Sequence, residues 1–370
     1  MGGCVLIMAG GTGGHVFPAL AVAEELRRRG ESVVWLGTHA GLEASIVPKA
    51  GIEIEWINVT GLRGKGWSSW LMAPLRLTSA VWAATKVMKQ RKPKAVLGMG
   101  GFVSGPGAVA SWIMGVPLVI HEQNAIAGVT NKLSARLARR VLEAFPQTFA
   151  ARRKVTTTGN PVRVDIAALR DPAQRCAGRQ GPLQVLVIGG SLGAQALNAA
   201  VPAALQLLDA AVRPQLWHQT GSRHVDAARA AYAQSNVGGR VEPFIDDMAA
   251  AYGWADLIIC RAGALTVAEI CAAGLPAVFV PFPHAVDDHQ TANAQFLVAA
   301  GAARLLPQSQ LTAESLRALL AELGCNAHDA QDQWRAARAR LLQMAQAARS
   351  RALPEATRQV ADVCLEVARG

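Results

Sequence analysis

Three side chains stand where a chain of this kind can do chemistry: His15, Thr266 and Glu269. The last two lie in Ala262-Gly263-Ala264-Leu265-Thr266-Val267-Ala268-Glu269-Ile270, directly after Asp256-Leu257-Ile258-Ile259-Cys260. That apolar run is short and bounded by turn residues, which predicts a buried parallel strand. After Gly263 the pattern turns helical. A helix that starts from a small-residue turn offers an anion its first amides, because they have no partner inside the helix. Two readings of Thr266 and Glu269 stay open. In one they form a capping box and satisfy each other's backbone amides. In the other the helix end holds a diphosphate and Glu269 accepts two hydroxyls of a ribose. His15 follows Gly10-Gly11-Thr12-Gly13-Gly14 at a second helix start. The positive helix end disfavours imidazolium, so His15 reads as a neutral proton acceptor and candidate general base. The alternative is a histidine hydrogen-bonded within its own turn. His121 reads equally as structural or as facing a ligand.

Positioning these residues takes parallel strands that end in loops. Residues 4–9 predict a strand, 15–29 a helix and 32–36 a strand, a βαβ unit that opens a doubly wound sheet. The helix ends in Arg27-Arg28-Arg29-Gly30, cations over the last carbonyls and a glycine stop. The dinucleotide fingerprint fails, because Val16 stands where a third glycine is needed and no acid closes the second strand. The glycines fit a close approach between this loop and a facing domain. Residues 94–99 predict a strand that runs into the second glycine-rich turn, 100–107, ahead of a helix. Another strand ends in His121-Glu122-Gln123-Asn124, polar residues at the place where open α/β sheets bind ligands. Gly159-Asn160-Pro161-Val162-Arg163 reads as a crossover that leaves Arg163 free to reach an anion. Residues 170–181 read as a linker. Strand 183–188, turn 189–193 and helix 194–208 then repeat the opening pattern. Two long alanine- and arginine-rich helices close the chain, with a break near Pro354. The expectation is an α/β protein of two Rossmann-like doubly wound domains facing across a cleft, 1–163 and 164–345, with 346–370 folding back on the first.

A chain of 370 residues is long enough for two cores, and 51% hydrophobic content fills them. The six cysteines are scattered and none is spaced as a metal knuckle, which fits packed, reduced thiols. Asp246-Asp247 and Asp287-Asp288 read as helix caps, so no metal site and no cofactor are expected. No leader pattern opens the sequence, and residues 102–120 are broken by Gly and Pro rather than continuous enough to span a membrane. Net charge is +11, and its distribution selects the partner. Between Glu55 and Glu122 there is no acid, yet five of the nine tryptophans fall there among lysines and arginines. Tryptophan and leucine rimmed by cations fit an anionic membrane surface better than nucleic acid. The candidates for that face are Trp67, Trp70, Leu71, Leu75, Arg76, Trp82, Lys86 and Trp112. The stripe through Leu71, Leu75, Thr78 and Trp82 has buried core as its alternative.

The residues Met8-Ala9-Gly10-Gly11-Thr12-Gly13-Gly14-His15-Val16-Phe17-Pro18 resemble the opening of the MurG family, bacterial transferases that add N-acetylglucosamine to lipid I to make lipid II. Residues 98–107, 121–131, 159–163, 189–194 and 260–270 match its further motifs in order. The resemblance implies the glycosyltransferase-B fold and an inverting transfer from UDP-N-acetylglucosamine to the 4-hydroxyl of the muramoyl sugar. It implies that Ala264, Leu265 and Thr266, with Val267 and Ala268 behind them, meet the diphosphate, and that Glu269 meets the ribose. Ser191 would contact a phosphate, backbone at Ile245 the uracil, Gln290 and Asn124 the sugar, and Arg163 the donor region. Thr12, Gly13 and Gly14 would close over the sugar from the other side. For the acceptor, the diphosphate and polyprenyl of lipid I, the candidates are Gly100, Gly101, Ser104 and His121. Arg163 and Arg261 would replace a metal at the leaving group. The implied place is the cytoplasmic face of the inner membrane, with cell-wall and division proteins as further partners. Two departures stand out: His289-Gln290 where the family often has Gln-Gln, and Phe102 where a tyrosine is common. Other readings are another UDP-sugar enzyme of the same fold, a glycolipid synthase or epimerase, and a non-catalytic membrane scaffold.

Overall fold

The computed structural model describes residues 3–59, 73–190, 193–325 and 330–370. The chain divides into two compact units, Met1–Val162 with Leu353–Gly370, and Arg163–Ala352.

The first unit holds a seven-stranded parallel sheet in the order β3-β2-β1-β4-β5-β6-β7. Its strands are β1 Val5–Ala9, β2 Val33–Gly37, β3 Glu53–Trp56, β4 Ala95–Gly100, β5 Leu118–Glu122, β6 Arg140–Glu143 and β7 Val155–Thr157. β1, β2, β4 and β5 are buried at every residue, which is why they read as unbroken apolar runs. Alternate residues serve opposite faces. Val5, Ile7 and Ala9 pack with Ala19 and Ala23 of helix Gly13–Arg28 and with Val360 and Cys364 of helix Ala356–Arg369. Leu6 and Met8 pack with Ala84 and Met88 of helix Ala73–Arg91 and with Ala108 and Ala110 of helix Ser104–Ile113. Pro74 stands in the first turn of its helix, where its missing N–H costs no hydrogen bond. Arg29 Nη1 meets Asp362 at 2.5 Å and fastens the carboxy-terminal helix to the first.

The second unit holds a six-stranded parallel sheet, β10-β9-β8-β11-β12-β13. These are β8 Gln184–Ile188, β9 Gln215–Gln219, β10 Arg240–Glu242, β11 Leu257–Cys260, β12 Ala277–Phe279 and β13 Ala303–Leu305. Residues 170–181 are not a linker. Asp171 caps helix Pro172–Cys176 by accepting from Ala173 N, and Arg175 donates to the carbonyls of Ala273 and Gly274. Those carbonyls close helix Ala264–Ala273, so the segment is a strap across a helix end rather than a free connection. All six cysteines are free, and all but the half-buried Cys176 are buried.

In each sheet the strand order reverses once, between β1 and β4 and between β8 and β11. The connections leave on opposite sides there, and a crevice opens beyond the carboxyl ends of the strands.

Candidate functional site

At the first reversal the helix begins at Gly13, two residues before the position read from its apolar spacing, with Thr12 as its N-cap. His15 therefore sits in the first turn, its N–H donating to Thr12 O at 3.1 Å. The glycine loop wraps a buried carboxylate at the start of helix Glu43–Lys49. Glu43 is fully buried, and it accepts from Gly11 N at 2.9 Å and from Thr38 N and Oγ1 at 3.1 and 2.8 Å. The close approach at these glycines is made inside the unit. A Cβ at Gly101 would lie 2.3 Å from Gly10 O, and one at Gly100 would lie 2.8 Å from the His15 ring. Both residues have positive φ, +85° and +103°, where glycine is favoured.

Not every candidate in this unit reaches a ligand. Ser104 is buried, and its hydroxyl accepts from Gly100 N and faces the carbonyls of Met8 and Gly100 at 2.9 and 2.8 Å. It ties the second glycine loop to β1 and offers nothing outward. His121 is fully buried too, Nε2 2.9 Å from Gly159 O and Nδ1 3.0 Å from Gln123 Nε2. Burial depresses its pKa to about 4, so the ring is neutral and positional rather than acceptor-binding. Glu122 accepts from Asn124 N and Nδ2, from Gly128 N and from Asn131 Nδ2, holding residues 124–131 in one loop. Asn124 is thus fixed by Glu122 at the rim. Gln123, unassigned above, reaches back across the crevice, its Oε1 2.8 Å from His15 Nδ1. His15 is half-buried, and its Nε2 makes no hydrogen bond among the described residues.

At the second reversal helix Ala264–Ala273 starts with Gly263 as N-cap and no side-chain cap. The capping-box reading is therefore overturned. Its first intrahelical bond is Val267 N to Gly263 O, so the amides of residues 264–266 precede the ladder. Glu269 lies one turn in, nearly buried. Tyr252 Oη donates to its Oε2 at 2.8 Å, and Arg163 Nη2 stands 3.5 Å from its Oε1. Burial raises the Glu269 pKa, opposed by Arg163 and Tyr252. Gln219 supports the neighbouring loop: its Nε2 donates to Gly190 O and its Oε1 accepts from Ile245 N. The Ile245 amide is thereby engaged. Gln290 Oε1 accepts from Phe282 N. Arg261 is half-buried, donating to Val280 O and Pro281 O and to Gln308 Oε1 at 2.9, 3.0 and 2.5 Å, so it holds the β12 loop instead of facing a leaving group. Asp247 caps helix Met248–Trp254, accepting from Ala250 N at 2.8 Å. Among the described residues no cluster of three His, Cys, Asp or Glu is placed to hold a metal. Ser191 lies outside the described residues, as do Trp67, Trp70 and Leu71.

The other membrane candidates share the helices that follow β3 and β4. Leu75, Trp82 and Trp112 are 65%, 68% and 64% exposed, and Lys86 Nζ lies 6.0 Å from the Trp82 ring centroid. Arg76 is exposed as well. The buried side of helix Ala73–Arg91 carries Ala80, Ala84 and Met88, so the stripe through Leu75, Thr78 and Trp82 is not core. No helix among the described residues is long and apolar enough to cross a membrane.

Comparison with known proteins fits both sheets. Residues 5–143 match the Glycosyltransferase family 28 N-terminal domain, and residues 184–350 match its C-terminal domain. A Nitrosococcus oceani protein named UDP-N-acetylglucosamine--N-acetylmuramyl-(pentapeptide) pyrophosphoryl-undecaprenol N-acetylglucosamine transferase is 55% identical over 366 residues, 99% of each chain. A protein of the same name from Alkalilimnicola ehrlichii is 56% identical over 365 residues, again 99% of each. The crystal structure of Acinetobacter baumannii MurG superposes with a TM-score of 0.83 at 45% identity, covering 98% of this chain and 99% of that one. With two reversal crevices, each glycine-lined, and relatives of this identity along its whole length, the chain belongs to glycosyltransferase family 28.

Proposed function

We propose that this chain transfers N-acetylglucosamine from UDP-N-acetylglucosamine to the 4-hydroxyl of the muramoyl sugar of lipid I, releasing UDP and forming lipid II. The observation that carries the reading is Glu269: a carboxylate nearly buried at a reversal crevice, one oxygen held by Tyr252, one turn behind the amides that precede the ladder of its helix. A buried carboxylate held this way is suited to accept from vicinal hydroxyls, and the amides ahead of it suit a diphosphate. Arg163 adds a cation beside Glu269.

The chemistry follows from charge and proton balance. The acceptor oxygen forms a bond to the anomeric carbon on one face while the bond to the diphosphate breaks on the other, and its electrons leave with UDP. One displacement inverts the centre. The hydroxyl proton passes to Nε2 of His15. The charge that develops on UDP is met by the helix end at residues 264–266 and by Arg163. The glycine turn at Gly13 and Gly14 and the backbone of Gly101 are the donors for the sugar and the acceptor diphosphate, since the Gly100 amide is held by Ser104. Asn124 and Gln290 supply amides for the donor sugar. Trp82, Trp112, Leu75, Arg76 and Lys86 form a basic apolar face for an anionic membrane, where a polyprenyl acceptor resides.

Incubation with radiolabelled UDP-N-acetylglucosamine and lipid I tests the reading. Label appearing in a lipid that carries both sugars, with UDP released in equal amount, is expected. UDP released only with another acceptor, or donor epimerised without transfer, would assign a different enzyme of this fold. Absence of UDP binding in calorimetry would remove the enzymatic reading.

A further inference from the structure

Two histidines and a glutamine form one hydrogen-bonded line from the end of β4 and β5 to the proposed base, and its proton positions can be deduced. Gly159 O is a carbonyl and can only accept. His121 Nε2, 2.9 Å away, must therefore carry the hydrogen. The neutral ring then has a bare Nδ1, which accepts from Gln123 Nε2 at 3.0 Å. A second contact fixes the same amide orientation: Gln123 Nε2 is 3.1 Å from His121 O, another obligate acceptor. Turning the amide over would set its oxygen against two acceptors. Gln123 Oε1 consequently faces His15 Nδ1 at 2.8 Å, and that nitrogen must donate.

We propose that Gln123, itself set by His121 and Gly159, is a positioning residue that locks His15 in the Nδ1–H tautomer and leaves the Nε2 lone pair as its one site of protonation. The proposal rests on the reading of His15 as the base but makes a separate claim about the ring. Gly100 completes the slot, since any Cβ there would lie 2.8 Å from the ring edge that carries Nδ1. Asn160 steadies the line by donating to Gln123 O at 3.0 Å. The device is uncharged along its length. Glu43 and Glu122, the buried carboxylates of the adjoining loops, give both oxygens to loop donors, and neither is hydrogen-bonded to His15. An amide orients the ring without placing a full negative charge on it, unlike a carboxylate partner, which favours imidazolium.

Two measurements test this. Nitrogen-15 spectra of histidine-labelled whole protein distinguish the tautomers directly; a protonated Nδ1 and bare Nε2 in the neutral His15 ring are expected. The opposite tautomer, or an even mixture, overturns the proposal whatever the activity. In kinetics, Gln123→Leu should lower kcat about 100-fold with KM for the donor unchanged, a loss within the range of general-base catalysis. Gln123→Glu keeps an acceptor for His15 but sets its second oxygen against His121 Nδ1 and O, so it should recover only part of kcat while the acidic limb of the pH profile moves to higher pH. Recovery without a moved limb, or an unchanged Gln123→Leu, would also sink it. Failure of the underlying reading looks different: His15→Ala would keep its turnover while the wild-type spectra still showed the Nδ1–H ring.

Discussion

The two reversal crevices are built alike and furnished differently. At β1 and β4 the carboxylates face inward: Glu43 holds Gly11 and Thr38, and Glu122 holds residues 124–131. Glu143, at the end of β6, holds Gln147, Phe149 and Thr157. What that crevice presents outward is one ring nitrogen and glycine backbone. At β8 and β11 the carboxylate Glu269 stands in the helix whose first-turn amides precede the ladder, with Tyr252 on one oxygen and Arg163 near the other. Rigid loops around a single basic atom suit a chemical step, while a carboxylate next to the first-turn amides of a helix suits a grip on a nucleotide. Damage to the first should therefore appear in turnover and damage to the second in affinity.

The largest expected effect tests the first half. His15→Ala removes the base and should lower kcat by about 1000-fold, within the range for general acid–base catalysis, while UDP affinity measured by calorimetry stays unchanged. Comparable losses in both quantities would erase the distinction between the crevices. Glu269→Ala should do the converse. Losing hydrogen bonds to a charged group costs about 1.5–3 kcal/mol, so donor KM should rise roughly 10- to 100-fold with a smaller change in kcat. A variant with unaltered donor binding would show that Glu269 serves only Tyr252 and the fold.

A pH series sharpens the same contrast. Burial raises the Glu269 pKa, so its carboxylate takes up a proton at higher pH than an ordinary glutamate does. The protonated form loses acceptor capacity toward ribose hydroxyls. Donor affinity should therefore weaken as pH falls through that raised pKa. The dependence should vanish in Glu269→Gln. An affinity flat from pH 8 to 5 in the parent protein would break the assignment.

Much of this was legible in the residues, for a physical reason. Apolar runs that end in glycine turns announce buried parallel strands and the loops at their carboxyl ends, so both crevices could be placed from local pattern. β7 and β13 escaped because each is three residues long, and Val155–Thr157 is only partly buried and carries two threonines. Side-chain direction also escaped. Ser104 and His121 stand among ligand-facing residues in sequence yet turn inward, and Arg261 follows β11 yet clasps carbonyls behind it. The Gln123 contact joins positions 108 residues apart, and no periodicity encodes it. Gln123 was visible only as a polar residue at a strand end.

The smallest effect concerns where the apolar surface lies. Leu75, Leu77, Trp82, Trp112 and Ile113 are all exposed, and all belong to the first unit's helices after β3 and β4. Among the described residues, the exposed rings of the second unit, Phe244 and Phe282, are not accompanied by such a run. If the first face meets anionic lipid, each cation there contributes about 1 kcal/mol near the surface. Arg76→Ala and Lys86→Ala should each weaken binding to phosphatidylglycerol vesicles roughly 5-fold at low salt, and the difference should shrink as salt screens the charges. Trp82→Ala should weaken binding at every salt concentration, because burying its ring does not depend on charge. Transfer to a short-chain, water-soluble acceptor should be unaffected by all three. Equal vesicle binding by parent and variants would detach this face from the membrane and leave the acceptor to be reached another way.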